Sequence, residues 1–278
     1  MDKIPCLPSV GADVEWFLYH KTYGTVVPAC GLIGGTKEEP LDLGGGYAVQ
    51  EDNVMVEWNV PPAERWDMFY HNIVEGIDLV QNHIAENLGK EYKMVCRSEN
   101  LFEPIDLESD QAKTFGCEPD FDAYLGGVQR PDGARDILGT YRTCGGHIHL
   151  GGDFQCPDFV AALFAELFIG VFAYLPMDFN TVRQKWYGQP GVFRSKPYGI
   201  EYRTPDNQWT KDRGLIEYVA MHAYACAEWL TNTRADELQR IFRLIPWVEL
   251  RRYMSGEKRS QQQRKMIYAA AVEAGVPA

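Results

Sequence analysis

Between Gly145 and Gly152 the chain alternates two imidazoles with two apolar side chains, His147-Ile148-His149-Leu150, and brackets them with glycine pairs. Successive side chains of an extended strand point to opposite faces, so this stretch reads as a strand with both histidines on one face and an apolar face behind them. Two imidazoles so placed can reach one ligand. Of the six histidines only these two lie together, and the glycines leave room for a ligand or another backbone to come close. A surface strand with fortuitous histidines is the alternative, and carboxylates nearby would decide between them.

Carboxylates occur in the same kind of place. From Val10 to Tyr19, Asp13 and Glu15 alternate with Val14 and Trp16, and after a hairpin about Glu51-Asp52-Asn53, Glu57 and Asn59 share one face of the strand Val54 to Asn59. Charges in mid-strand are rare unless they are paired or bind a metal, although a solvated edge strand would also tolerate them. Further on, Glu201 and Arg203 share a face of a strand that Pro205 ends, as a site pair or a simple ion pair. The irregular stretch from Arg97 to Arg135 contains Glu118, Asp120 and Asp122, which suit a cation, an amine or a solvated acidic turn. Arg142, Arg183 and Arg194 lie close to these motifs in sequence.

The rest of the chain supplies the packing. Pro61 and Pro62 open a helix whose stripe is Trp66, Phe69, Ile73, Ile77, Val80, Ile84 and Leu88, with Gly89 as its stop; His71 and His83 take no role there. The apolar run Phe159 to Leu175 contains Glu166 and falls short of a membrane span, so it reads as a buried helix reaching about Pro176, with Glu166 at an end or against a polar partner. Lys211 to Ala278 is helical by pattern, with Leu215, Val219, His222 and Cys226 on one side of its first segment. With 278 residues, 45% of them hydrophobic, and no linker or repeat, the expectation is one domain, its motifs in 10–207 and a helical layer in 210–278.

Charge and cysteines narrow the function. A net charge of -12 argues against nucleic-acid binding, and seven cysteines without a Cys-x-x-Cys pair or a signal peptide read as reduced thiols in a cytoplasmic protein without structural zinc. Gathered together, the strand-borne carboxylates and one imidazole suit Mg²⁺ or Mn²⁺, and the arginines suit a polyphosphate. Metal-assisted phosphoryl transfer follows, without a P-loop, since that motif is missing.

The order of these motifs resembles the carboxylate-amine ligases of the glutamine synthetase and glutamate-cysteine ligase superfamily. Val-Gly-Ala-Asp-Val-Glu-Trp-Phe, Gly-Cys-Glu-Pro-Asp-Phe-Asp-Ala-Tyr and Tyr-Gly-Ile-Glu-Tyr-Arg-Thr-Pro look like the phage-encoded COOH-NH2 ligase type 2 proteins. The resemblance implies an α+β fold, a curved antiparallel sheet of glutamine synthetase catalytic-domain type backed by helices. It implies ATP and Mg²⁺ (or Mn²⁺) as cofactors, with Glu15, Glu57, His147 and Glu201 as metal ligands. Asp13 stands where glutamine synthetases have Glu, a shorter arm for the same task. His149 would approach the nucleotide phosphates, Arg194 and Arg203 would stabilise the transferred phosphoryl group, and Arg183 would assist. Asn59 and the Glu118, Asp120, Asp122 loop have no counterpart there and are expected to meet the substrates, with Asp120 or Asp122 accepting a proton from the amine. The expected reaction joins a small-molecule or peptide carboxylate to an amine through an acyl phosphate, in the host cytoplasm if the gene is a phage's. A guanidino kinase, a metal-dependent hydrolase and a virion or scaffold protein that kept the fold without the chemistry are the rival readings.

Overall fold

The computed structural model describes residues 6–113, 120–129, 139–173, 183–184 and 187–277. Glu118 and the end of the run at Leu175 and Pro176 lie outside the described residues. Among those described, the strands are β1 (Ser9–His20), β2 (Thr25–Val27), β3 (Leu41–Gly44), β4 (Tyr47–Asp52), β5 (Met55–Asn59), β6 (Tyr92–Val95) and β7 (Glu99–Leu101). They continue with β8 (Asp120–Asp122), β9 (Gly127–Gln129), β10 (Tyr141–Thr143), β11 (Gly146–Gly151), β12 (Val192–Lys196) and β13 (Gly199–Tyr202). One 11-stranded sheet runs in the order β3-β4-β5-β1-β11-β13-β12-β8-β9, with β2 and β6 also paired to β1. Every pairing in it is antiparallel. The fold is thus α+β, a large antiparallel sheet backed by helices.

The long first strand organises this sheet because its two faces differ. Val10, Ala12, Val14, Trp16 and Leu18 are buried in the main core with Val56, Trp58, Ile148, Leu150, Ile200 and Tyr202 of the neighbouring strands. The helices Trp66–Asn87, Asp158–Ala165 and Arg213–Asn232 close over that face. The opposite face carries Gly11, Asp13 and Glu15, then Phe17, which a small separate cluster with Val54, Met55, Phe102 and Leu107 covers at one end. Burying the apolar face sets the register, and a slip by one residue would send Asp13 and Glu15 into the core.

The helical layer follows the apolar stripes with local adjustments. In Trp66–Asn87 the buried positions are Phe69, Ile73, Gly76, Val80 and Ile84, while Trp66 stays partly exposed. Ile77 and Leu88 are partly buried and pack against the same core, and Gly76 is buried where a Cβ would stand 2.9 Å from the Trp58 ring. Gly89, at φ +101°, takes the left-handed position beyond the helix end, as expected. Asp158–Ala165 continues as a π-helical stretch, Glu166–Phe172. Glu166 is fully buried and accepts hydrogen bonds from Gly191 N at 2.8 Å and Tyr202 OH at 2.9 Å; burial raises its pKa to about 7. Arg213–Asn232 buries Ile216, Val219, Ala220, Ala223, Cys226, Ala227 and Leu230, so its core face is rotated from the one read through Leu215 and His222. Three more helices, Ala235–Phe242, Trp247–Met254 and Gln261–Ala274, complete the C-terminal layer. No helix among the described residues is long and apolar enough to cross a membrane.

Candidate active site

Sheet register brings the ionisable residues onto one surface. Asp13 lies opposite both Asn59 and His147, Glu15 opposite Glu57, and Glu201 opposite both His149 and Arg194. Residues facing one another across antiparallel strands share a face, so β1, β5, β11, β12 and β13 contribute to a single polar tract, which Asp52 of β4 and Asp120 of β8 extend. It divides into two groups of different electrical character.

The first group is Glu15, Asp52 and Glu57, whose nearest carboxylate oxygens all lie within 4.8 Å of one another. Asp52 was assigned to a turn with Glu51 and Asn53, but β4 runs through Asp52 and the reversal is made at Asn53, at φ +54°. Because Gln50 pairs with Glu57, Asp52 two residues on projects from the same face. Glu15 accepts the Gly145 N–H at 2.5 Å, and among the described residues no Lys or Arg forms an ion pair with this group. Burial, followed by the Asp52 charge, pushes Glu15 up to about 8. Burial, with Asp13, Asp52 and Glu15 as neighbours, holds Glu57 well above its ordinary value.

The second group is balanced. Asp13 sits between the imidazoles, Oδ1 at 3.0 Å from His147 Nδ1 and Oδ2 at 3.3 Å from His149 Nε2. Glu201, 1% exposed, is ion-paired with Arg203 Nη1, with Lys196 Nζ at 2.8 Å and with Arg194 Nη1 at 3.6 Å. Asp120 receives both guanidiniums, Arg194 Nε at 2.8 Å and Arg203 Nε at 3.1 Å. Burial works against the ionised form of Asp13, yet His149 and His147 bring its pKa well below the ordinary value. For Glu201, burial and Asp13 push upward, but Arg203, His147 and Arg194 outweigh them and lower it to about 2. Burial and Arg203 lower His147; His149 rises, because Asp13 overcomes its burial.

The stretch that carries the imidazoles, Arg194, Glu201 and Arg203 is also the stretch with a family likeness. Residues 133–268 match the family of phage phiEco32-like COOH.NH2 ligase-type 2 proteins. The resemblance read from the motifs holds over that stretch, and the match supports a carboxylate-amine ligase; Asp13, Glu15 and Glu57 lie upstream of it. Solved structures give looser likenesses. A novel glutamine synthase homolog aligns over 96% of this chain and 71% of its own at 12% identity and TM-score 0.37. A bifunctional glutathione synthetase from Pasteurella multocida aligns over 96% of this chain at 11% identity and TM-score 0.39, and the chain spans only 46% of it. At these scores the shared geometry is too loose to transfer any residue. No curated protein matches.

Within the ligase-type 2 stretch, the side chains expected at the phosphates divide. Arg194 and Arg203 join the cluster, whereas Arg183 is spent on backbone: it donates to Cys144 O at 3.2 Å, Thr204 O at 3.4 Å and Pro205 O at 3.1 Å, and is 1% exposed. Arg142 is buried with Asn53, Gly139, Tyr141 and Ala112. Asp122 parts from Asp120: its carboxylate accepts the Tyr124 and Leu125 N–H groups at 2.8 and 3.0 Å and faces Arg251 at 3.5 Å, which anchors a turn. Asn59 stays on the polar face beside Asp13. The glycine pairs admit the chain's own groups rather than a ligand. A Cβ on Gly145 would meet the His147 ring at 2.3 Å, and one on Gly146 the carbonyl of Asp206 at 2.4 Å. Asp52, Tyr187, Lys196 and Tyr198 had not been singled out as site residues. Period-two spacing from Gln50 signals Asp52 and from Arg194 signals Lys196, but nothing local marks Tyr187.

Proposed function

We propose that this chain is an ATP-dependent carboxylate-amine ligase, built on a sheet of glutamine synthetase type, that activates a small-molecule or peptide carboxylate as an acyl phosphate and passes it to an amine. The observation that carries the reading is the adjacency of an uncompensated three-carboxylate group and a group in which three cationic side chains surround Glu201. The first calls for a divalent cation; the second holds guanidiniums where a phosphoryl group can exchange with carboxylates as their partner.

The donor set fits Mg²⁺ or Mn²⁺, being oxygen alone in one group and oxygen with imidazole in the other. Asp13, His149 and Glu201 place their ligand atoms within 4.8 Å of one another, and the buried His149 Nε2 and Glu201 Oε2 receive no aligned hydrogen bond. Glu15, Asp52 and Glu57 would hold one cation; Asp13, Glu201 and an imidazole, His147 or His149, would hold another. A bound divalent cation supplies charge neutralisation for phosphoryl transfer. Arg194 and Arg203, their side chains 11% and 7% exposed, would turn from Asp120 and Glu201 to the transferred group. Asp120, released as they turn, would take the proton of the incoming ammonium, since an amine attacks only as the free base. Asn59 would meet a substrate at the edge of the tract. A cytoplasmic, phage-encoded enzyme is in keeping with the motifs.

The test is ADP release by the purified chain with Mg²⁺, ATP and paired panels of carboxylates and amines. Release that needs both substrates, yields an amide and disappears in Glu201→Gln is expected. A phosphoramide product, or no binding of Mg²⁺-ATP by calorimetry, would overturn the proposal.

A further inference from the structure

We propose that Tyr187 is a positioning residue of this site, whose single hydroxyl fixes both the tautomer of His147 and the orientation of Arg203. The inference rests on the ligase reading for its purpose, but not for its geometry. The Tyr187 hydroxyl lies 2.7 Å from His147 Nε2 and accepts a hydrogen bond from Arg203 Nη2, also at 2.7 Å. A guanidinium only donates, so the hydroxyl oxygen is the acceptor on that side and its one hydrogen is available to Nε2. Asp13 Oδ1, an acceptor when ionised, lies 3.0 Å from Nδ1 and draws the ring hydrogen of neutral His147 to that nitrogen, which leaves Nε2 to accept from Tyr187. Arg203 Nη1, with two hydrogens, gives one to Glu201 and lies 3.2 Å from the same Nδ1. One chain of donors therefore runs from Arg203 through Tyr187 and His147 to Asp13.

The chain also contains the device that aims Tyr187. Tyr187 N donates to Arg183 O at 2.6 Å, while the Arg183 guanidinium is pinned to the carbonyls of Cys144, Thr204 and Pro205. Those residues flank β11 and β13, so Tyr187 is tied through Arg183 to the strands that carry His147 and Glu201. Gly188, at φ +67°, lets the backbone pass where a Cβ would meet Arg183 Nη1 at 2.2 Å. The Tyr187 ring lies 5.2 Å from the Arg183 guanidinium and 5.5 Å from that of Arg203. Arg183 thereby acts on the site through Tyr187 rather than through phosphate.

Groups that hydrogen-bond a metal's ligands typically contribute about 10- to 100-fold to affinity, and His147 so holds Asp13, a ligand of the proposed site. Tyr187→Phe keeps the ring between the two guanidiniums and removes only the hydroxyl. In ¹⁵N-histidine NMR, with His147→Gln to identify the signals, wild-type His147 is expected to show a protonated Nδ1 and a bare Nε2 without Mg²⁺. In Tyr187→Phe the two ring nitrogens should move toward tautomer averaging, and Mg²⁺ should bind about 10-fold more weakly by calorimetry, under conditions where circular dichroism shows the variant folded. A wild-type ring protonated on Nε2, or a Tyr187→Phe variant with unaltered ring signals and Mg²⁺ affinity, overturns the inference. The wild-type spectrum decides even if the variant does not fold. Failure of the ligase reading would appear separately, as an absence of ADP release from a protein whose His147 still shows the expected tautomer.

Discussion

The two halves of the polar sheet face gather comparable numbers of carboxylates and treat them in opposite ways. At Glu15 and Glu57 burial and neighbouring carboxylates favour protonation, whereas at Asp13 and Glu201 histidines and arginines stabilise the charged form. A buried carboxylate is tolerable when neutral or paired, and the chain uses one solution on each side of β1. Under the proposed function the halves would take distinct tasks, one holding an added cation and the other giving up its arginines to an anion.

Substitutions should separate the halves by sign. The largest effect is expected from Glu201→Gln, which leaves Arg194, Arg203 and Lys196 without their common carboxylate. Breaking a buried pair from one side costs about 3–5 kcal/mol, measurable by urea unfolding, and ADP release should fall at least about 100-fold. Equal stability of Glu201→Gln and wild type would dissolve the distinction. On the other side Glu57→Gln should stabilise the Mg²⁺-free protein, by about 1 kcal/mol, because it removes a carboxylate that the fold holds against ionisation. The same variant should lose the rise in thermal midpoint that Mg²⁺ gives wild type.

Acidity offers a second probe of the carboxylate-only half. Glu15 is raised to about 8, so the folded protein keeps a proton that the unfolded chain releases near its ordinary value of 4.5. The stabilisation is fully present below that ordinary value and is lost as pH rises through about 8. The metal-free thermal midpoint should therefore fall from about pH 4.5 to about pH 8 and level off above it, and Mg²⁺ should reverse the fall while releasing protons, seen by calorimetry in buffers of different ionisation enthalpy. A midpoint flat across this range would show the group already compensated. The smallest effect is expected at the margin: Asp122→Asn should cost about 1 kcal/mol through its turn and Arg251 contacts and leave ADP release intact. Lost turnover at unchanged stability would instead bring Asp122 into the chemistry.

Much of this architecture was legible because a half-buried antiparallel sheet writes its two faces into the chain with a period of two. Asp13 and Glu15, Glu57 and Asn59, His147 and His149, and Glu201 and Arg203 all emerge on the polar side, as their spacing requires. The helix Trp66–Asn87 followed its stripe and its glycine stop in the same way. Hairpin details were harder to read. Whether Asp52 belongs to the strand or the turn depends on one residue of register, which Asn53 settles by taking the left-handed conformation. Arg183 and Arg194 look alike in sequence, and only packing tells a guanidinium bound to carbonyls from one facing carboxylates.

The sequence by itself determined which side chains share a face, because alternation along a strand is a property of the covalent backbone. Tertiary structure alone decided which of them meet. The order of β4, β5, β1, β11, β13 and β12 put three carboxylates together with no ion-paired Lys or Arg among the described residues on one side and gave Glu201 three cations on the other. Tertiary packing also brought Tyr187 onto His147. Electrostatic compensation depends on distances across strands, and those exist only once the sheet has formed.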